Sequence, residues 1–146
     1  MSDCGDILIS VRSEYATKML SGQKTVELRR RYLNVKPGTR VWIYSKAPHA
    51  AVRARAVVES IVSGKPAGLW RKFRCCAGVS RREFCSYFGN IDVGHAILLK
   101  NIRKLPEEMS LATIRRRVRS FHPPQFYIRL TLNDARLEIL QSVIRG

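Results

Sequence analysis

Gly22-Gln-Lys24-Thr-Val-Glu27-Leu-Arg29 joins the end of a short amphipathic run, residues 14–21, to a stretch of strand character that Arg30 and Arg31 extend. A strand alternates its side chains between two faces. Thr25, Glu27, Arg29 and Arg31 are therefore expected on one face, and Lys24, Val26, Leu28 and Arg30 on the other. Lysine, glutamate and arginine thus fall within a few residues of a helix-to-strand turn. Such a placement lines the mouth of a small cleft.

Working outward, Ile7–Val11 reads as a short apolar strand. Ser13 is a candidate N-cap for a helix whose Tyr15, Met19 and Leu20 form a stripe ending at Gly22. Pro37-Gly38 is placed as in a type II turn. It leads into a bulky strand at Arg40–Ser45, with Val41 and Ile43 opposite Trp42 and Tyr44. Val52–Ile61 is expected as a strand with a bulge at Val57-Val58. Ala67–Phe73 is expected as a short helix carrying Leu69, Trp70 and Phe73. Ser80-Arg-Arg-Glu83 is a capping box, so a helix runs to Phe88 with Phe84 and Phe88 inward. Gly94–Ile102 reads as a strand that Leu105-Pro106 closes. Ser110 caps a helix, Gln125–Thr131 is the last strand, and Asn133 or Asp134 starts a final helix. Strands alternating with helical insertions indicate a small α+β fold built on a curled sheet. The expected organisation is a single domain over residues 1–146, with a core of about 7–131 and a C-terminal helix of about 133–145.

The charge restricts the partners. Among 146 residues, 27 Lys+Arg face 11 Asp+Glu, a formal net charge of +16. Such an excess repels itself in the compact state and is matched by a polyanionic partner. Arginine predominates, which favours forked phosphate contacts. Nucleic acid leads as partner, an anionic membrane surface comes second and ribosome-like packing third. No apolar run approaches the ~18 residues that a membrane span needs, and the polar N-terminus is unlike a secretory signal. A cytoplasmic protein without a membrane partner is expected. Cys4, Cys75, Cys76 and Cys85 do not have zinc-site spacing, and His49, His95 and His122 are scattered. No cofactor or metal is expected, and the oligomeric state stays open.

Gly22, Lys24, Glu27 and Arg29 match Gly-x-Lys-x-x-Glu-x-Arg, so the chain resembles ASCH domains of the PUA-like superfamily. The similarity extends over the Ile7–Val11 strand, the helix before Gly22, the Pro37-Gly38 turn, Arg40–Ser45 and Gly94–Leu99. It covers residues 7 to about 131. It implies a PUA-like curled β-barrel of about five or six strands with flanking helices. Some relatives of this family hydrolyse acetylcytidine, and ribonuclease activity is reported for others. In the bacterial acetylcytidine amidohydrolases the lysine matching Lys24 is catalytic. The position matching Glu27 is a threonine in them, so this chain departs from their pattern.

Three functions follow as expectations. The first is a nucleic-acid-binding domain, most directly for RNA, whose basic cleft recognises an unstacked or modified nucleotide. Its binding residues would be Lys24, Glu27, Arg29 and Arg31, with Tyr44, Ser45 and Lys46 from the loop after the third strand. Gly94-His95 is expected close to that loop, glycine permitting close backbone approach of a ligand. The second is an RNA-directed hydrolase of the same fold, a ribonuclease or a modified-nucleoside amidohydrolase, with Lys24 as the catalytic group. The third is a protein-interaction or coactivator module whose basic charge serves an acidic partner. Trp70 and Phe73 are read as core rather than as stacking rings, and His49 as a surface or packed histidine. Taken as surface groups at a cleft mouth, Lys24 and Glu27 should each be replaceable with stability shifts within about ±0.5 kcal/mol.

Overall fold

The apolar run at the start of the chain forms β1 (Asp6–Val11), all six residues of which are buried. A strand covered on both faces belongs in the middle of a sheet. In the computed structural model, which describes residues 5–145, β1 pairs in parallel with β3 (Arg40–Ser45) and antiparallel with β6 (Tyr127–Leu130). The other strands are β2 (Val26–Arg29), β4 (Ala51–Gly64) and β5 (Gly94–Ser110). The six form one mixed sheet in the order β2-β5-β4-β3-β1-β6. The helices are α1 (Ser13–Ser21), α2 (Pro66–Phe73), α3 (Arg81–Phe88), α4 (Leu111–Arg117) and α5 (Ala135–Arg145). The α+β architecture expected from the alternation of elements is the observed one.

Two long strands curl this sheet. The β4–β5 ladder shifts register between Val52 and Ala54, between Arg55 and Val57, and between Val58 and Ser60. Each irregularity bends the pair and increases its twist. The bulge expected at Val57-Val58 is not there: these residues pair in register with Lys100 and Leu99, and the irregularities fall on either side of them. Leu105-Pro106 does not close β5 as expected, since the strand runs on to Ser110. The ladder goes from Ala54↔Lys104 directly to Val52↔Met109. Pro106, which has no N–H to give, sits in that excursion.

The sheet separates three apolar clusters. On one face Ile7, Ile9, Val41, Ile43, Ala54, Ala56 and Val58 pack with Ala16 and Met19 of α1. On the other, Leu8, Trp42, Tyr44 and Val52 pack with Ile114 of α4 and Leu137, Ile139 and Leu140 of α5. A third cluster joins Val26, Leu28 and Ala96 to Leu69, Phe84 and Phe88 of α2 and α3. Trp70 and Phe73 pack against it, as the core reading expects.

Helix ends follow the sequence signals closely. Gly22 closes α1 at φ 85°, with its N–H donating to the Met19 carbonyl. Ser80 Oγ accepts from the Glu83 N–H, and Glu83 Oε1 accepts from the Ser80 N–H, completing the capping box of α3. Ser110 caps α4 by accepting from the Thr113 N–H. Ser13 is not the cap of α1; Arg12 takes that position, without a side-chain bond. Cys4 lies outside the described residues, and Cys75, Cys76 and Cys85 are free thiols.

Gly94 admits a ring of the protein itself rather than a ligand. A Cβ at residue 94 would stand 2.6 Å from Phe88 Cε1. His95 points elsewhere, with Nδ1 at 2.7 Å from Ser63 Oγ and its ring against Tyr32. Gly94→Ala should therefore destabilise the protein by about 1–3 kcal/mol through overpacking, read as a lower urea midpoint at unchanged m-value. An unchanged midpoint would contradict this packing.

Candidate functional site

The motif builds a buried ion network before it builds anything else. Lys24 is 1% exposed and Glu27 4%. A lysine so enclosed needs partners for its ammonium. Lys24 Nζ donates to the Ala77 carbonyl at 2.5 Å, lies 3.4 Å from Glu27 Oε1, and stands over the Tyr15 ring at 4.7 Å from its centroid. Glu27 Oε2 accepts from Arg29 Nη2 at 2.6 Å, and the same nitrogen donates to the Ser10 carbonyl at 2.7 Å. The Arg29 guanidinium then stacks on Phe126, 4.5 Å from the ring centroid.

Local structure explains how these groups meet. Strict alternation would separate Lys24 from Glu27, but β2 begins only at Val26. Lys24 lies in the preceding turn, where its N–H donates to the Lys18 carbonyl. Its stem runs beneath the loop that follows α2. Thr25 and Val26 both donate their N–H groups to the Cys76 carbonyl, and Lys18 Nζ donates to the Gly78 carbonyl. Gly78 takes φ +65°, and a Cβ there would stand 2.8 Å from Lys24 Cβ. Both the left-handed backbone and the close approach demand glycine.

The network forms the inner wall of a cleft of about 390 Å³ at the ends of β1 and β2. Ser10, Arg12, Tyr15, Lys46, Glu83, Ser86 and Tyr87 complete its polar lining, with Val11, Leu28, Val79 and Phe84. Tyr15 Oη donates to Glu83 Oε2 at 3.5 Å, and Tyr87 Oη accepts from the Arg30 N–H at 3.1 Å. Two buried polar atoms of residues in this wall, Ser10 Oγ and Arg29 Nε, have no partner among the described residues. Buried polar groups are rarely left so.

The environment shifts several proton affinities. Burial lowers the Lys24 pKa below the ordinary lysine value, against the opposing pull of Glu27. Burial and then the Glu83 charge raise that of Tyr15, and burial raises that of Tyr87. The capping hydrogen bonds from Ser80 lower that of Glu83.

Among the residues expected to form the site, Lys24, Glu27, Arg29 and Lys46 come together in the cleft. Arg31 is exposed beyond the end of β2 and does not line it. Tyr44 is buried on the opposite sheet face with Leu8, Trp42 and Val52, so its ring is core. Ser45 is fully buried and also stands outside the lining. His49 Nε2 meets Glu108 Oε1 at 2.6 Å, and Arg53 holds the second oxygen of that carboxylate. Sequence reasoning missed Ser10, Arg12, Tyr15, Glu83 and Tyr87 as lining residues. Of these Glu83 and Tyr15 carried local signals, which a capping role and a helical apolar stripe accounted for.

Residues 6–118 match the family model described as "Domain of unknown function (DUF365)". The chain is 32% identical over 123 residues to a Zymomonas mobilis protein named ASCH domain-containing ribonuclease, covering 84% of this chain and 82% of that one. The crystal structure of ASCH from Zymomonas mobilis superposes with a TM-score of 0.88 at 30% identity, over 96% of each chain. Human THYN1, solved in complex with 5-methylcytosine-containing DNA, shares the fold alone. It gives a TM-score of 0.59 at 9% identity, over 97% of this chain and 98% of that one.

Burial overturns the expectation that Lys24 and Glu27 behave as surface charges. Lys24→Met leaves the Ala77 carbonyl and one side of Glu27 without a cation, and should cost about 3 kcal/mol at neutral pH. The pH dependence has a defined sign. The folded-state pKa of Lys24 lies below its unfolded value. Between the two, the unfolded chain binds more protons, so stability rises with pH across that alkaline window. Urea unfolding from neutral to alkaline pH should show the wild type gaining on Lys24→Met. Parallel curves would contradict a depressed Lys24.

Proposed function

On the premise that the chain belongs to the ASCH-domain family, with its PUA-like fold, we propose that it binds single-stranded RNA. In this reading the motif cleft accepts one unstacked or modified nucleotide. The observation that carries it is the cleft itself. Its volume of about 390 Å³ falls within the roughly 300–1,000 Å³ of small-ligand sites. Its lining combines cations, carboxylates and aromatic rings. Arg12 and Lys46 supply charge for phosphate. Tyr15 and Tyr87 supply surfaces on which a base can stack, with Phe84 buried behind them. Glu27 and Glu83 are acceptors for an exocyclic amine. The formal +16 charge supplies affinity independent of sequence. The preference for RNA over DNA is part of the proposal. It draws on the name of the Zymomonas mobilis relative, while the DNA in the human THYN1 complex is the opposing consideration.

That relative's name also supports a second reading, cleavage of the bound RNA. The 2′-oxygen of a nucleotide would attack the adjacent phosphorus, and the bond to the departing 5′-oxygen would break. The proton lost by the 2′-hydroxyl would go to a base, and an acid would protonate the 5′-oxygen. Lys24 would act as that base only after giving up its own ammonium proton, a loss that its burial favours; the Glu83 carboxylate lines the same cleft. Arg12 and Lys46 are the cations available to the charge that grows on phosphate. Deacetylation of acetylcytidine is not supported in the same way. Glu27 stands where the amidohydrolases that the motif resembles carry a threonine, and here it is held between Lys24 and Arg29.

Two outcomes test the proposal. Binding to single-stranded RNA should weaken steeply with salt, with log K falling by about 0.7 per phosphate contact for each unit of log salt. Arg12→Ala/Lys46→Ala should weaken it at every salt concentration while leaving the thermal midpoint unchanged. A flat salt dependence, or no binding at low salt, would contradict the proposal. In product assays with purified protein, acetylcytidine should remain intact. RNA cleavage that disappears in Lys24→Met, in the fraction shown to be folded, would establish the second reading.

A further inference from the structure

The opposite face of the sheet carries a second basic groove that the motif does not reach. It lies at the other end of β1 from the cleft. The cleft is lined by Ser10 and Val11, whereas the groove begins at Arg40, the register partner of Asp6. α4 and α5 cover Leu8, Tyr44, Val52 and Leu105 on this face. Beyond them a cavity of about 230 Å³ opens between Arg40, Trp42, Arg55, Val57, Asn101 and Arg103.

The arginines here are arranged against their own electrostatics. Arg55 is the register partner of both Trp42 on β3 and Arg103 on β5. Two like charges directly opposite each other across a ladder destabilise it. Among the described residues the carboxylate at this end is Asp6, and it is already occupied. Its Oδ1 accepts from Arg40 Nη2 at 2.6 Å, and its Oδ2 accepts from Trp42 Nε1 at 2.8 Å. Arg55 and Arg103 are exposed, and among the described residues neither has a carboxylate within salt-bridge distance. Asn101, in the same lining, holds φ 55°. Asparagine tolerates that conformation better than other side chains, and here it falls where the β4–β5 register shifts between Arg55 and Val57. The one ring in the groove, Trp42, is buried with its N–H engaged, so no face is presented for base stacking.

Exposed guanidinium forks without an exposed ring fit phosphate and not bases. We propose that this groove is a second nucleic-acid contact, holding phosphodiester groups of an RNA long enough to leave the motif cleft and reach the far end of the sheet. The inference rests on the RNA-binding reading of the cleft. It adds a length requirement and a sequence-independent anchor on the opposite face.

Fluorescence anisotropy separates the two claims. The probes are oligouridylates, one a tetranucleotide and one well beyond the about 4–16 nucleotides that a single-strand-binding fold covers. Arg55→Gln/Arg103→Gln, both exposed positions, should bind the long probe about tenfold more weakly than wild type at low salt. Its log K against log salt should be shallower by about 1.4, because two phosphates are no longer neutralised. The tetranucleotide should bind unchanged, and Arg55→Lys/Arg103→Lys should restore most of the slope. Wild-type binding of the long probe with no change in the glutamine variant overturns the second contact alone. No wild-type binding of either probe overturns the cleft reading together with it. A loss confined to phosphatidylserine vesicles assigns the groove to a membrane surface and overturns the proposal.

Discussion

A lysine ammonium held out of water is the constraint around which this protein is arranged. Its burial is tolerable because three neighbours on three different elements reach it: the Ala77 carbonyl, over fifty residues away, the nearby Glu27 carboxylate and the Tyr15 ring. Each brings its own element. Ala77 fixes the loop between α2 and α3, Glu27 fixes β2, and Tyr15 fixes α1. Arg29 then ties Glu27 to the Ser10 carbonyl of β1. The motif therefore connects the third apolar cluster to the central strands. Removing a member leaves a buried charge uncompensated, a larger effect than losing a surface pair.

The same network gives the cleft its character. An inner wall of fixed charges, a rim of Arg12 and Lys46, and the rings of Tyr15, Phe84 and Tyr87 present a polar interior in a largely apolar cavity. Because the wall is locked by hydrogen bonds, little reorganisation is needed when a ligand arrives. The curl of the sheet keeps this cleft and the arginine groove apart, the one at the Ser10 end of β1 and the other beside Asp6. A protein of this charge can in this way engage a flexible polyanion at two separated places.

Much of the fold is legible in local signals. Gly22 closes the first helix, Ser80 and Glu83 announce the third, and the apolar run at residues 7–11 marks an interior strand of the sheet. Pro106 misleads because a bulge can absorb a proline that a regular ladder cannot. At the site, periodicity correctly sets Tyr44 beside Trp42 on one face. It cannot say that this face turns toward α4 and α5. Alternation puts Lys24 and Glu27 on opposite faces only when it is extended across residues that precede β2. The lining residues Arg12, Tyr15, Glu83 and Tyr87 come from α1, its cap and α3. Only tertiary packing brings those helices to the motif, and no spacing in the sequence encodes it. The burial of Lys24 is hidden for the same reason, since the loop that covers it lies over fifty residues away.

The most direct test of the central claim is a crystal structure of the protein with a short oligouridylate. A nucleotide is expected in the motif cleft, its base against Tyr15 or Tyr87 and its phosphate within reach of Arg12 or Lys46. Lys24, Glu27 and Arg29 should keep their present pairings behind it. An oligonucleotide bound elsewhere, with the cleft closed or filled by side chains, would contradict that claim and leave the motif a purely structural device.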